Sequence, residues 1–172
     1  MKYFVSDLIV GMKGIGEFGR WVSRCGREDF GAEFSAFTHS DAYWKELSEE
    51  VVPRCSAPMT FHGPYVQIEA TSPLDSPEHA WLMESYRKVF ALAAAYGVRH
   101  VVFHYSQLQF APEAIPEAQK NARAVMRQLN EEAHRQGVHF VIENLCRHPK
   151  EGTHLFTNEE YFHLFEEMPD AE

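Results

Sequence analysis

Val98-Arg99-His100-Val101-Val102-Phe103-His104-Tyr105 is the stretch that decides the fold. It begins directly after Gly97, runs through apolar β-branched residues, and stops at a histidine that opens a long loop. Two other segments end in the same manner: Ala57-Pro58-Met59-Thr60-Phe61-His62-Gly63-Pro64 and Val138-His139-Phe140-Val141-Ile142-Glu143-Asn144. From His62 to His104 is 42 residues and from His104 to Glu143 is 39, each about one strand-plus-helix unit. Side chains at matching ends of successive parallel strands converge on one mouth. Two histidines and a glutamate meeting there have the donor chemistry of part of a divalent-metal site. The repetition carries this reading; no one segment does.

Working outward, strands and helices alternate. The patterning predicts strands over 3–10, 30–37, 59–62, 98–104 and 138–143, and helices over 15–25, 42–52, 77–96, 116–136 and 158–167. Pro77 suits a first helical turn, and Trp81, Leu82, Tyr86, Val89, Phe90 and Ala93 form an apolar stripe behind it. Ala122, Val125, Met126, Leu129 and Ala133 do the same in the fourth helix, with Gly137 as its stop. Such alternation argues for a parallel sheet with right-handed crossovers. The connections are unequal. Single glycines, Gly97 and Gly137, lead from helix to strand, whereas 63–76, 105–115 and 144–157 lead from strand to helix. Loops of that length are usually functional or disordered, and all three fall on the C-terminal side of the strands, which marks that side as the working face.

The 172 residues, 45% apolar and 13% aromatic, suffice for one domain over 1–172 with a sizeable core. A formal charge of −9, from 16 basic and 25 acidic residues, comes with no basic stripe, so no nucleic-acid partner is expected. The longest apolar run, over 89–98, is too short to span a bilayer. Asp7 interrupts the first apolar residues and no small-residue cleavage site follows. Cys25, Cys55 and Cys146 form no CxxC pair and read as reduced thiols. A soluble, cytoplasmic protein is the expectation.

Phe61-His62-Gly63-Pro64-Tyr65, Val102-Phe103-His104 and Val141-Ile142-Glu143-Asn144-Leu145 resemble the xylose isomerase-like TIM barrel superfamily. That superfamily includes sugar and sugar-phosphate isomerases and epimerases, and the endonuclease IV type of abasic-site nuclease. The likeness follows the order of elements along the chain, and its residue-level content lies in these three strand ends. In the nuclease branch the resemblance makes His62, His104 and Glu143 metal ligands. In the epimerase branch it makes Glu143 both a ligand and the proton-transfer base. It also implies an Asp and a His from strand six, a His from strand seven and a Glu from strand eight. The sequence reaches Pro169-Asp170-Ala171-Glu172 where a sixth strand is expected. The fold expected is α/β, a parallel (β/α) barrel with about five of eight units. Unpaired edges on strands one and five then predict self-association or a partner segment.

Each candidate residue has a plainer role to compete with. A carboxylate straight after Phe140-Val141-Ile142 is costly to bury unpaired, which favours Glu143 as ligand and base over an ion pair or a helix cap. His104 competes with a satisfied polar histidine, and His62 gains from the sharp exit that Gly63-Pro64 imposes. His100 and His139 share the inward strand face but sit deeper, as hydrogen-bonded core residues. Glu33, Asn144, Tyr65 and Tyr105 are the candidates for substrate contact, against turn and packing roles. Cys146 and His148 lack a matching pair for a zinc site. His154, His163, Glu131-Glu132 and Glu166-Glu167 read as solvated.

The resemblance implies a divalent-metal-dependent isomerase or epimerase of a small sugar, sugar phosphate or polyol, using Mn²⁺, Mg²⁺, Co²⁺ or Zn²⁺ in an enediolate-type proton transfer. The epimerases' second acid/base belongs to a strand beyond the five, so activity of these strands alone does not follow. One alternative is an endonuclease IV-like phosphodiesterase, which calls for Lys and Arg in the mouth loops. Loops 63–76 and 105–115 contain none, and only Arg147 and Lys150 occur in the third, which favours a small substrate. Another is a non-catalytic half-barrel that binds a partner or assembles through its edges.

Overall fold

The structure is a computed structural model and describes residues 2–106, 108–143 and 155–168. Five strands, β1 Tyr3–Ser6, β2 Phe30–Ser35, β3 Met59–His62, β4 His100–Phe103 and β5 His139–Ile142, form one parallel sheet in sequential order. The helices are α1 Ile15–Cys25, α2 Asp41–Lys45, α3 Pro77–Ala95, α4 Ile115–Arg135 and α5 Asn158–Glu167. A sequential parallel sheet with a helix after each strand is the arrangement of five consecutive units of a (β/α) barrel. Among the described residues no helix is long and apolar enough to cross a membrane.

Register sorts the strand residues onto two faces, because neighbours in a parallel pair point the same way. Ala32, Phe34, Phe61, Val101, Phe103 and Phe140 lie on the helical face and are fully buried. They pack with Ile15, Phe18, Leu82, Tyr86, Phe90, Met126 and Leu129 of the helices. The opposite face carries rows set by the register: Ser6, Glu33 and Thr60 in one, Ser35, His62, Val102 and Val141 in the next. It is polar and mostly half-buried. His104 and Glu143 extend that second face by one more row past the ends of β4 and β5.

The last two strands begin later than their apolar runs because the helix caps claim the first residues. After α3, Val98 N–H donates to Ala93 O at 2.9 Å and Gly97 N–H to Ala94 O at 3.4 Å. After α4, Val138 and Gly137 repeat the pattern onto Ala133 and His134, both at 3.0 Å. These are Schellman closures, and Gly97 and Gly137 supply the left-handed φ of 67° and 71° they require. β1 is also shorter than its apolar run: Ser6 caps a single 3₁₀ turn, Asp7–Ile9. The helix read over 42–52 is irregular. α2 widens into a π-helical stretch, Glu46–Val51, and ends in a 3₁₀ turn at Val52–Arg54.

The surface carries exposed aromatic side chains and an inter-helix ion pair. Trp21 stands half-exposed, its ring against Phe18 and Phe30, and Phe162 is exposed on α5. Glu167 is no idle surface charge: it accepts from Arg123 at 2.8 Å and from Arg127, tying α5 to α4. The edge at β1 is conspicuously apolar. Tyr3, Phe4, Leu8, Ile9, Val10 and Met12 are all exposed there, Ile9 at 70%.

Candidate metal centre

His62 closes β3, the middle strand of the sheet, and its backbone is held from both sides. Ala36 N–H donates to His62 O at 2.8 Å, and Gly63 N–H donates to Val102 O at 2.7 Å. Position 63 admits no side chain: a Cβ there would lie 2.6 Å from the Tyr86 ring and 2.6 Å from Val102 O. Gly63→Ala is therefore expected to cost about 1–3 kcal/mol in urea unfolding, as overpacking does. Wild-type stability in that variant would show that Tyr86 and the strand exit yield to a methyl group.

The His62 ring has a defined tautomer. Nδ1 lies 2.9 Å from Gly63 O, and a carbonyl only accepts, so Nδ1 carries the hydrogen. The Nε2 lone pair is left facing the mouth, which is how metal-binding histidines are usually oriented. His104 Nε2 lies 3.1 Å from it, and Glu143 Oε2 lies 3.5 Å from it. His104 Nε2–H donates to Glu143 Oε2 at 2.5 Å. The three donor atoms thus form a tight triangle. Donors bound about 2.1 Å from one ion stand roughly 3.0–3.4 Å apart, so two edges already suit a cation, which would replace the proton on the third. The set fits a divalent ion. It is sheltered at one corner and open at the other: His62 is 7% exposed, whereas the Glu143 side chain is 47% exposed.

Burial lowers the His104 pKa from 6.5, with the nearby Glu143 pulling it back up. Folding therefore favours the neutral ring. Above pH 6.5 neither state carries the proton, so His104 imposes no penalty there. As pH falls from 6.5 through the folded value, the unfolded chain binds the proton first and stability drops. Metal-free urea titrations from about pH 8 to about pH 5 should show this decline, flattened in His104→Gln. An identical decline in the variant would assign it to another group.

The remaining candidates separate. The Tyr65 ring stands edge-on to His62, centroids 4.8 Å apart, and is tilted over His104 at 5.8 Å. Glu33 sits one row deeper; burial raises its pKa, while His62 lowers it and Glu143 adds to the rise. Tyr105 faces the other way. It is buried against Phe156 and Tyr161, because strand alternation turns the residue after His104 toward the helices. Asn144, Cys146, His148 and His154 lie outside the described residues. His100 and His139 stack on the inner face, centroids 5.3 Å apart at 26°, half-buried rather than part of the core.

Patterning missed Asp7. It is 3% exposed and accepts from Ser35 N–H at 3.0 Å, Ser35 Oγ–H at 2.7 Å and the Tyr43 hydroxyl at 2.8 Å. The signal was available: a charged residue ends the first apolar run as His62, His104 and Glu143 end the others. Two clefts, of about 340 and 630 Å³, lie elsewhere, one between Gly16 and Glu50 and one around Lys2 and Arg27. Neither includes the triangle, which stands on the open inner face.

The xylose isomerase-like TIM barrel family matches over residues 21–171. No curated protein matches. Among solved structures, a D-tagatose 3-epimerase-like protein superposes with a TM-score of 0.72 at 17% identity, covering 95% of this chain and 60% of that one. The 3-keto-D-glucoside 4-epimerase of E. coli gives 0.69 at 15% identity, with 99% and 66% covered. The D-allulose 3-epimerase of Methylomonas sp., in complex with D-allulose, gives 0.65 at 21% identity, with 99% and 60% covered. At these identities the likeness establishes the fold, and the chain spans 60–66% of the length of these three structures.

Proposed function

Because the chain belongs to the xylose isomerase-like TIM barrel family, we propose that it is a sugar isomerase or epimerase whose divalent-metal centre is His62, His104 and Glu143. The observation that carries this is the convergence of three donor atoms from three successive strand ends. Two imidazole nitrogens and one carboxylate suit Mn²⁺, Co²⁺ or Zn²⁺, and Mg²⁺ less well. When bound, such an ion supplies Lewis acidity toward a sugar carbonyl and its neighbouring hydroxyl.

The chain's own groups have distinct tasks in this reading. His62, pinned through its Nδ1–H, presents a fixed lone pair. Glu143, on the open side, both holds the ion and takes the proton from the carbon beside the carbonyl. Tyr65 walls the histidine side, and Glu33 offers a hydroxyl-binding carboxyl below. The ligand class is supported by the names of the compared proteins, which are epimerases of ketoses and a keto-glucoside. The free thiols of Cys25 and Cys55 suit a reducing, cytoplasmic compartment.

The experiment is Mn²⁺-dependent wash-in of deuterium from D₂O at the carbon beside the carbonyl of D-allulose or D-fructose, followed by proton NMR. Exchange that disappears in Glu143→Gln is expected. No exchange from a chain shown to bind Mn²⁺ would remove the isomerase reading and leave the metal centre standing. The phosphodiesterase alternative predicts incision of an abasic duplex, which the lack of Lys and Arg in loops 63–76 and 105–115 opposes.

Assembly is a further part of the proposal. Among the described residues β1 and β5 are the sheet edges, and six exposed apolar side chains lie in β1 or just after it. Such an edge recruits another chain. Light scattering should show association that Ile9→Lys with Phe4→Lys abolishes; a wild-type monomer at high concentration would refute it.

A further inference from the structure

The loop between β3 and α3 holds a half-buried carboxylate for which the metal centre has no use. Glu69 accepts from Thr71 N–H at 3.2 Å and from the Thr71 hydroxyl at 2.7 Å. Its other oxygen accepts from the Ser106 hydroxyl at 3.0 Å. Ser106 belongs to the next loop, two residues beyond His104, and is itself buried. Its Oγ also accepts from Leu108 N–H at 3.0 Å, so the contact organises both loops. From below, the buried Asn121 of α4 donates to Thr71 O at 3.0 Å.

We infer that Glu69 is a positioning residue: it latches the β3–α3 loop to the β4–α4 loop and thereby holds the Tyr65 ring against His62 and His104. Tyr65 hangs between two fixed points. Upstream, the Tyr86 hydroxyl donates to Pro64 O at 3.1 Å; downstream stands the Glu69 latch. Between them Gln67 adopts a left-handed φ of 59°, the only such non-glycine among the described residues. A residue in that conformation persists where its surroundings over-determine it, and such residues gather at ligand clamps. Cutting the downstream anchor lets Gln67 relax, and the segment that relaxes carries Tyr65. Burial also raises the Glu69 pKa, consistent with a sheltered bridge. The geometry stands without the ion; only the consequence for a bound sugar rests on the proposed function.

The test reads the His62 and His104 ring carbon-bound protons by NMR, since a tyrosine ring so close shifts them. Tyr65→Leu sets the full size of that shift. Glu69→Ala and Ser106→Ala should move both signals toward the Tyr65→Leu positions and speed amide exchange over 65–71 by about tenfold. Glu69→Gln, which keeps an acceptor oxygen, should restore most of the shift. Mn²⁺ affinity should stay within about twofold throughout, while D-allulose affinity falls about tenfold in Glu69→Ala. If Glu69→Ala fails to fold, Ser106→Ala decides. Folded variants with wild-type histidine signals and exchange overturn the latch. Should the wild type bind no Mn²⁺ or no sugar, the functional reading falls, and the histidine signals still decide the latch.

Discussion

Glu143→Ala should abolish stoichiometric Mn²⁺ and Zn²⁺ binding, lowering affinity by at least about 100-fold, or roughly 3 kcal/mol. Glu143 is the one anionic donor of the triangle, standing 2.5 Å and 3.5 Å from the two imidazole nitrogens. Its removal takes away a ligand atom and the charge that offsets a dication's desolvation, leaving two neutral rings. The substitution should not perturb the fold. The side chain is nearly half-exposed and packs no core, so stability should stay within about 0.5 kcal/mol of wild type. Titration calorimetry can therefore be read as binding alone. Glu143→Gln, which keeps shape without charge, should fall between. Wild-type affinity in Glu143→Ala would place the ion elsewhere and dissolve the proposed centre.

The largest effect on stability is expected from Asp7→Ala, about 3–5 kcal/mol in urea unfolding. The carboxylate takes three hydrogen bonds in a site closed to water, joining the end of β1 to Ser35 of β2 and Tyr43 of α2. Alanine would leave the Ser35 amide without an acceptor and the Ser35 and Tyr43 hydroxyls seeking new ones. Tyr43 retains one, since its hydroxyl also lies 2.8 Å from Ser35 O. Burial, then the Asp7 charge, pushes the Tyr43 phenol up, so it stays a donor at any ordinary pH. Asp7→Asn should cost only about 1 kcal/mol, because its carboxamide oxygen can accept from the amide while its NH₂ faces the Ser35 hydroxyl. A loss under 1 kcal/mol in Asp7→Ala would mean that water reaches the network. Ser35 shares a row with His62, so this network also braces the strand end that carries one corner of the His62–His104–Glu143 triangle.

Most of the fold was legible because its signals are local. The strand 59–62 and the helices 15–25 and 158–167 appear with the expected limits, since Gly26 stops α1 with a left-handed backbone and Thr157 starts α5 through a capping box with Glu160, both within a few residues of the helix end. Strand starts at 98 and 138 were misread because Val98 and Val138 look apolar and extended, yet donate to helix caps. Apolar character does not distinguish those roles. The site was half legible. His62, His104 and Glu143 were found by repetition, whereas Glu69 carries no pattern, its meaning lying in a serine 37 residues away.

By itself the sequence determined an α/β chain of five strand–helix units whose strand ends carry two histidines and a glutamate. Alternation, helical stripes and glycine stops depend on neighbours within a few residues, so one dimension is enough. Only the tertiary structure decided the rest: the 2.5–3.5 Å triangle, the His62 tautomer, the burial of Asp7, and the turning of Tyr105 away from the mouth while Tyr65 faces it. Each follows from the register between strands and the packing of loops on helices. Those are long-range relations, set by the free energy of the whole assembled sheet, and no single segment encodes them.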